Sequence, residues 1–190
     1  MRRTAALRVL LTAALGISVI DGSGAWAKPK PATTTSEVRG GWVNEAGFVP
    51  SDVKETSDPN VFTVTFTGGS IWNGAFTGHT VVHGVATIAT SGAMDGDYTE
   101  IFYGTYYPDL ESAPRIGSLT TKGHVHVTSD LEFTARAKIV SGTCGFAGST
   151  GSMSYDGMAV NGGYVGRWTR PAGAAAVDPT CAPAPPPTAG

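Results

Sequence analysis

Glu100 sits in the stretch Asp97-Tyr98-Thr99-Glu100-Ile101-Phe102-Tyr103, with Tyr106 and Tyr107 close behind. In an extended chain, side chains two apart share a face, so Glu100 falls on the side of Tyr98, Phe102 and Tyr106. A carboxyl lodged among aromatic rings loses its hydration, holds its proton to higher pH and becomes a general acid or base. On the solvent face the same residue is an ordinary surface glutamate. The second set is the four histidines, which form two pairs, His79/His83 and His124/His126. An H-x-H on a strand places both imidazoles on one side, about 7 Å apart at the backbone. If Thr128-Ser129-Asp130 is a three-residue loop, Val127 faces Leu131, Val125 faces Phe133, His124 faces Thr134 and His126 faces Glu132. His126 and Glu132 are then a candidate acid/base pair. Their plainer fate is an exposed cross-strand pair worth a few tenths of a kcal/mol. No metal is expected on these histidines.

Other chemistries lack their residues. There is no phosphate-binding glycine loop before a helix, no G-x-S-x-G elbow, no C-x-x-C and no His-Glu-x-x-His. No cofactor is expected. The chain of 190 residues carries a formal charge of −2. Removing residues 1–27, with Arg2, Arg3, Arg8 and Asp21, makes it −4. An acidic balance of that kind excludes nucleic acid as an expected partner, because such binding depends on many Lys/Arg–phosphate contacts.

Residues 1–27 read as a signal peptide: a basic start at Arg2, Arg3 and Arg8, an apolar run from Val9 to Ile20, and the small-x-small site Ala25-Trp26-Ala27. The apolar run is too short for a membrane span, which needs roughly 20 residues, so a secreted, extracellular protein is expected. Residues 28–39 read as a flexible Pro/Thr-rich lead, 40–170 as the folded domain, and 171–190 as a Pro/Ala-rich tail. Two cysteines in a secreted chain are expected to pair, Cys144 in a glycine-rich ribbon with Cys181 in the tail.

The elements that position these groups are strands. Val61 to Thr67 puts Phe62, Val64 and Phe66 on one face, and Gly68-Gly69-Ser70 reads as a turn. Residues 71–90 set Trp72, Phe76, Val82 and Ile88 against His79, His83 and Thr87. Residues 131–140 alternate Leu131, Phe133, Ala135, Ala137 and Ile139 with Glu132, Thr134, Arg136 and Lys138. No stretch outside the leader has a helical period. Short strands punctuated by glycine imply an all-β fold, a sandwich or a closed antiparallel barrel.

The motifs W-N-G-A-F-T-G (72–78), Y-T-E-I-F-Y-G-T (98–105), I-V-S-G-T-C-G-F-A-G-S-T-G-S-M-S-Y-D-G (139–157) and Y-V-G-R-W (164–168) resemble secreted actinobacterial barrels of the allene-oxide-cyclase-like and dirigent-like kind, and a related domain of unknown function. The resemblance covers about residues 60–170. It implies a calycin-like antiparallel closed barrel of about eight strands with an apolar interior cavity, and relatives among them are cofactor-free cyclases. In that family glycine usually stands at the position of Cys144, so the cysteine pair is a local addition. Three functions stay open: an interior that binds a small hydrophobic molecule, walled by Trp72, Phe76, Tyr98, Phe102 and Tyr106; a cofactor-independent cyclase or isomerase using Glu100, or His126 with Glu132; and a structural or envelope-associated protein with a filled interior.

Overall fold

The computed structural model describes residues 32–107, 114–172 and Cys181. The leader 1–27 lies outside the described residues, as does most of the 171–190 tail. Nine antiparallel strands follow one another: β1 (Thr33–Asn44), β2 (Val49–Glu55), β3 (Val61–Gly74), β4 (Phe76–Ala89), β5 (Met94–Tyr106), β6 (Arg115–Val127), β7 (Glu132–Gly142), β8 (Thr150–Met158) and β9 (Asn161–Pro171). Neighbours pair in the order β1-β9-β8-β7-β6-β5-β4-β3-β2. The sheet closes where Gly40–Asn44 of β1 meet Ser70–Gly74 of β3, which makes an eight-stranded barrel with β2 as an extra edge strand. β1 starts inside the stretch read as a flexible lead, because Thr33, Thr34 and Thr35 pair with Pro171, Arg170 and Thr169.

Gly68-Gly69-Ser70 is no turn; it lies within β3, where the strand changes partner from β2 to β1. A side chain at Gly68 would stand 3.0 Å from the carbonyl oxygen of Gly47, so the glycine admits the β1–β2 loop against the strand. The free edge of β2 is guarded by Pro50, a bulge between Pro50 and Asp52, and the ion pair Lys54–Asp52.

The hairpin register between β6 and β7 also differs from expectation. Val127 faces Phe133, Val125 faces Ala135, His126 faces Thr134 and His124 faces Arg136. The loop takes in Leu131, which adopts φ 65° and is exposed. The Thr128 amide bonds the Glu132 carbonyl, and the Leu131 amide bonds that of Thr128. Each partner is displaced by two residues from the expected register, and an even shift keeps every side chain on its expected face.

Curvature comes from small residues on the inner face. One inward row runs Phe66, Gly84, Tyr98, Gly123, Ala137, Met153, Gly166, Val38 around the barrel. A Cβ at Gly84 would lie 2.3 Å from the Phe66 ring, and one at Gly166 would lie 2.5 Å from the Met153 sulfur. The rings therefore occupy the space that glycine leaves, and the sheet bends inward along that row. Beyond β7 a short 3₁₀ turn, Cys144–Phe146, buries Phe146, and Cys144 is disulfide-bonded to Cys181.

Two outcomes follow. Gly123→Val, whose Cβ would meet the Arg136 carbonyl oxygen at 2.4 Å, should lower stability in urea unfolding by about 1–3 kcal/mol. Alkylation without reduction should label neither cysteine. Reduction should cost roughly 3–4 kcal/mol for a closed loop spanning a sequence separation of 37. Two free thiols in the oxidised protein would contradict the pairing.

Candidate functional site: a buried carboxylate below the barrel mouth

One half of the interior is solid. Trp72 stacks on Phe102 at 5.2 Å and on Tyr164 at 4.9 Å. Phe76 meets Trp168 edge-on at 5.5 Å, and Tyr106 meets Trp168 at 4.4 Å. Aromatic contacts of this geometry add about 0.5–1.5 kcal/mol each beyond area burial. Phe76 also receives polar support: the Tyr164 hydroxyl accepts from its amide at 2.9 Å and lies 3.2 Å from its carbonyl oxygen. Phe76, Phe102 and Tyr106, expected as cavity walls, are part of this packing and do not line the cavity described below. Their faces were legible, but how far the rings would fill the barrel depended on partners three or more strands away.

Glu100 projects inward from β5 directly above that packing and is 5 % exposed. The Tyr155 hydroxyl donates to its Oε2 at 3.1 Å and the Thr121 hydroxyl at 3.4 Å. Thr80 and the Trp72 indole also hydrogen-bond the carboxyl. Desolvation by burial raises its pKa from 4.5 to about 7, against those four donors, which favour the anion and pull it down. Tyr155 is held well above the usual phenol range by burial first, and then by the charge of Glu100. Burial raises Tyr98 as well, with the Glu100 charge adding and a hydrogen bond to Tyr155 opposing. Tyr98, Tyr155 and Glu100 thus form a hydrogen-bonded chain inside the barrel.

A cavity of about 50 Å³ opens on this chain from the barrel mouth. Trp42, Phe48, Phe66, Trp72, Val82, Val125 and Phe133 wall it, and Glu100, Tyr98 and Tyr155 supply its polar floor. Phe48, carried on the loop after β1, packs edge-on against Phe66 at 5.0 Å. Trp42 contributes an indole N–H that, among the described side chains, is buried without an acceptor. A carboxyl that is half-protonated near neutrality can give or take a proton at this floor.

Of the sequence candidates, Trp72, Tyr98 and Glu100 are brought together here. His126 and Glu132 are not: both lie on the outer face, so they cannot serve an interior site, and His126 faces Thr134 rather than Glu132. The histidines find other partners. His124 lies 2.9 Å from Asp97 through Nδ1 and 3.1 Å from Asp95 through Nε2, and His126 lies 3.2 Å from Asp95. These bonds raise the pKa of His124 and lower that of Asp95. His79 lies 3.1 Å from Glu45. Among the described residues no His/Cys/Asp/Glu group is placed to hold a metal ion. Tyr155, Thr80, Thr121, Trp42, Phe48 and Phe133 belong to the site and were not singled out. Only the alternation of β8 and the run 131–140 hinted at Tyr155 and Phe133.

No protein-family model and no curated protein matches the chain. Among solved structures it is similar to a protein of unknown function from the DUF3224 family of Shewanella oneidensis MR-1, with a TM-score of 0.55 and 15% identity over 73% of this chain and 100% of that one. At that identity the likeness concerns the fold, and it places the chain structurally among small closed antiparallel barrels.

The raised carboxyl has a thermodynamic signature. The folded protein binds this proton more tightly than the unfolded chain, so the stabilisation is fully present below pH 4.5 and is lost as pH rises to about 7. The size of that loss is about 3 kcal/mol. Glu100→Gln should flatten the stability profile across that window, measured by urea unfolding at a series of pH values. An unchanged slope in the variant would place the titrating group elsewhere.

Proposed function

We propose that the mouth cavity binds a small hydrophobic molecule carrying one polar group. Its apolar body would lie against Phe48, Phe66, Val82 and Phe133, and its polar end would meet Glu100 and Tyr98. The observation that carries this reading is a near-neutral buried carboxyl, hydrogen-bonded to Tyr155, on the floor of one apolar-walled cavity. Small-molecule sites have this composition, mostly apolar walls with few convergent polar groups. At about 50 Å³ the cavity admits only a fragment, so a larger ligand enters by turning Phe48 away from Phe66. Gly47, with φ 68°, precedes Phe48 in the loop and gives the backbone a pivot there.

A second reading is a cofactor-independent cyclase or isomerase acting on a hydrophobic substrate, with Glu100 as the proton-transferring group. The titration of Glu100 near neutrality favours it, since general acid–base catalysis is most efficient when the pKa lies near working pH. The motif resemblance to allene-oxide-cyclase-like and dirigent-like barrels supports it too, and such catalysis would rest mainly on positioning the substrate. The leader pattern and the Cys144–Cys181 bond support a secreted, extracellular protein.

Native mass spectrometry of protein purified from its own host should show a co-purifying small molecule. With the environment-sensitive dye N-phenyl-1-naphthylamine as probe, Phe48→Ala should raise affinity about tenfold and Val82→Trp should abolish binding. Equal probe affinity in both variants and a ligand-free mass would overturn the binding reading. If a bound molecule is recovered and returned chemically unchanged by the wild type, the protein is a binder. Isomerised product formed by the wild type but not by Glu100→Gln makes it an enzyme.

A further inference from the structure

Four of the eight described Lys and Arg residues share one block of the outer face. Lys122 on β6 lies directly opposite Lys138 on β7, and Arg136 lies one outward step along β7, opposite His124. Lys138 pairs in turn with Ser152 on β8, Arg136 with Ser154, and Ser152 with Arg167 on β9. Like charges opposed across a ladder destabilise it, so folding alone gives no reason for a Lys122–Lys138 pair.

None of these four cations has a carboxylate within ion-pair distance among the described residues. The acids nearest in register are engaged by imidazoles instead, Asp97 by His124 at 2.9 Å and Asp95 by both His124 and His126. Glu37, opposite Arg167 in register, forms no ion pair with it. The block is therefore a net positive field on a chain of formal charge −2.

The surface there is hollow. An open trough of about 1030 Å³ is lined by Lys122, Arg136, Lys138, His124, Ser152 and Ser154, with Asp97 at its side. Its cause lies on the inner face, because the trough runs behind Gly84, Gly123, Ala137 and Met153, along the row where missing side chains let the sheet bend inward. Cations on adjacent strands stand about 5 Å apart, and those two strands apart about 10 Å. That spacing suits a ligand with repeated anionic groups better than a single ion.

We propose that this trough binds an anionic polysaccharide, with Lys122, Arg136 and Lys138 meeting its carboxylate, sulfate or phosphate groups, Arg167 flanking the trough one strand beyond Ser152, and the serine hydroxyls meeting its sugar hydroxyls. Nothing in this requires the interior cavity. Single-stranded nucleic acid is disfavoured because the trough presents no outward aromatic ring for bases to stack on; Tyr98 touches it only from the inner row.

Binding is measured on the full chain at low and physiological salt with dextran sulfate, polygalacturonate and a glycerol-phosphate polymer, against neutral dextran and duplex DNA. At least one anionic glycan should bind, with affinity falling steeply as salt rises, and the arm that binds most tightly names the anion. Lys138→Glu gives Lys122 an ion-pair partner, so it should keep or raise the melting temperature while weakening binding at least tenfold. Lys54→Glu, on the far strand β2, should leave binding unchanged. Equal affinity in Lys138→Glu and wild type, binding of neutral dextran, or duplex DNA binding as tightly as the best glycan would overturn the proposal.

Discussion

A carboxylate enclosed in a barrel of aromatic rings is the constraint around which this interior is arranged. Leaving Glu100 without partners would cost several kcal/mol. The fold instead surrounds it with donors from four different strands: Trp72 on β3, Thr80 on β4, Thr121 on β6 and Tyr155 on β8. Thr80 is itself fixed, since its hydroxyl accepts from the Ser70 amide at 3.2 Å. The result is a polar network that demands barrel closure in one register. Desolvation still outweighs the four bonds, which leaves the proton shared near neutrality.

Glycine placement decides where the barrel is solid and where it opens. Toward the disulfide end, Phe76, Phe102, Phe146 and Trp168 meet one another at ring distances of 5.5–6.1 Å and leave no usable space. At the mouth, Gly68 on the inner face carries no side chain to fill the lumen, and Phe48 covers the gap from outside the closed sheet. The same device acts on the outer surface, where the inward bend behind Gly84 and Gly123 makes a trough from residues that would otherwise stand on a convex wall. Interior site and exterior trough are thus two sides of one pattern of missing side chains.

Much of this was legible in the residues. The two-residue period assigned inward faces correctly for Val64, Phe66, Trp72, Phe76, Ala135, Ala137 and Ile139, because burial on one side of a sheet leaves a strong periodic trace. The placement of Glu100 among Tyr98, Phe102 and Tyr106 on one face was legible for the same reason. What failed were properties set by partners remote in sequence. Gly68-Gly69 resembled a turn because a strand that changes neighbours carries the same residues. The β6–β7 loop gained Leu131 through a positive φ that an unfavourable residue type did not advertise. Tyr155 and Trp42 reach the site from strands 55 and 58 residues away from Glu100, and no local pattern links them.

The state of the Glu100 carboxyl is the most direct test of the account. With glutamate labelled at the side-chain carboxyl carbon and the Glu100 resonance assigned by its absence in Glu100→Gln, its ¹³C shift can be followed against pH in the folded protein. A midpoint near 7 is predicted, moving when a molecule occupies the mouth cavity. A midpoint near 4.5 in the folded protein would show a solvated glutamate and contradict the site.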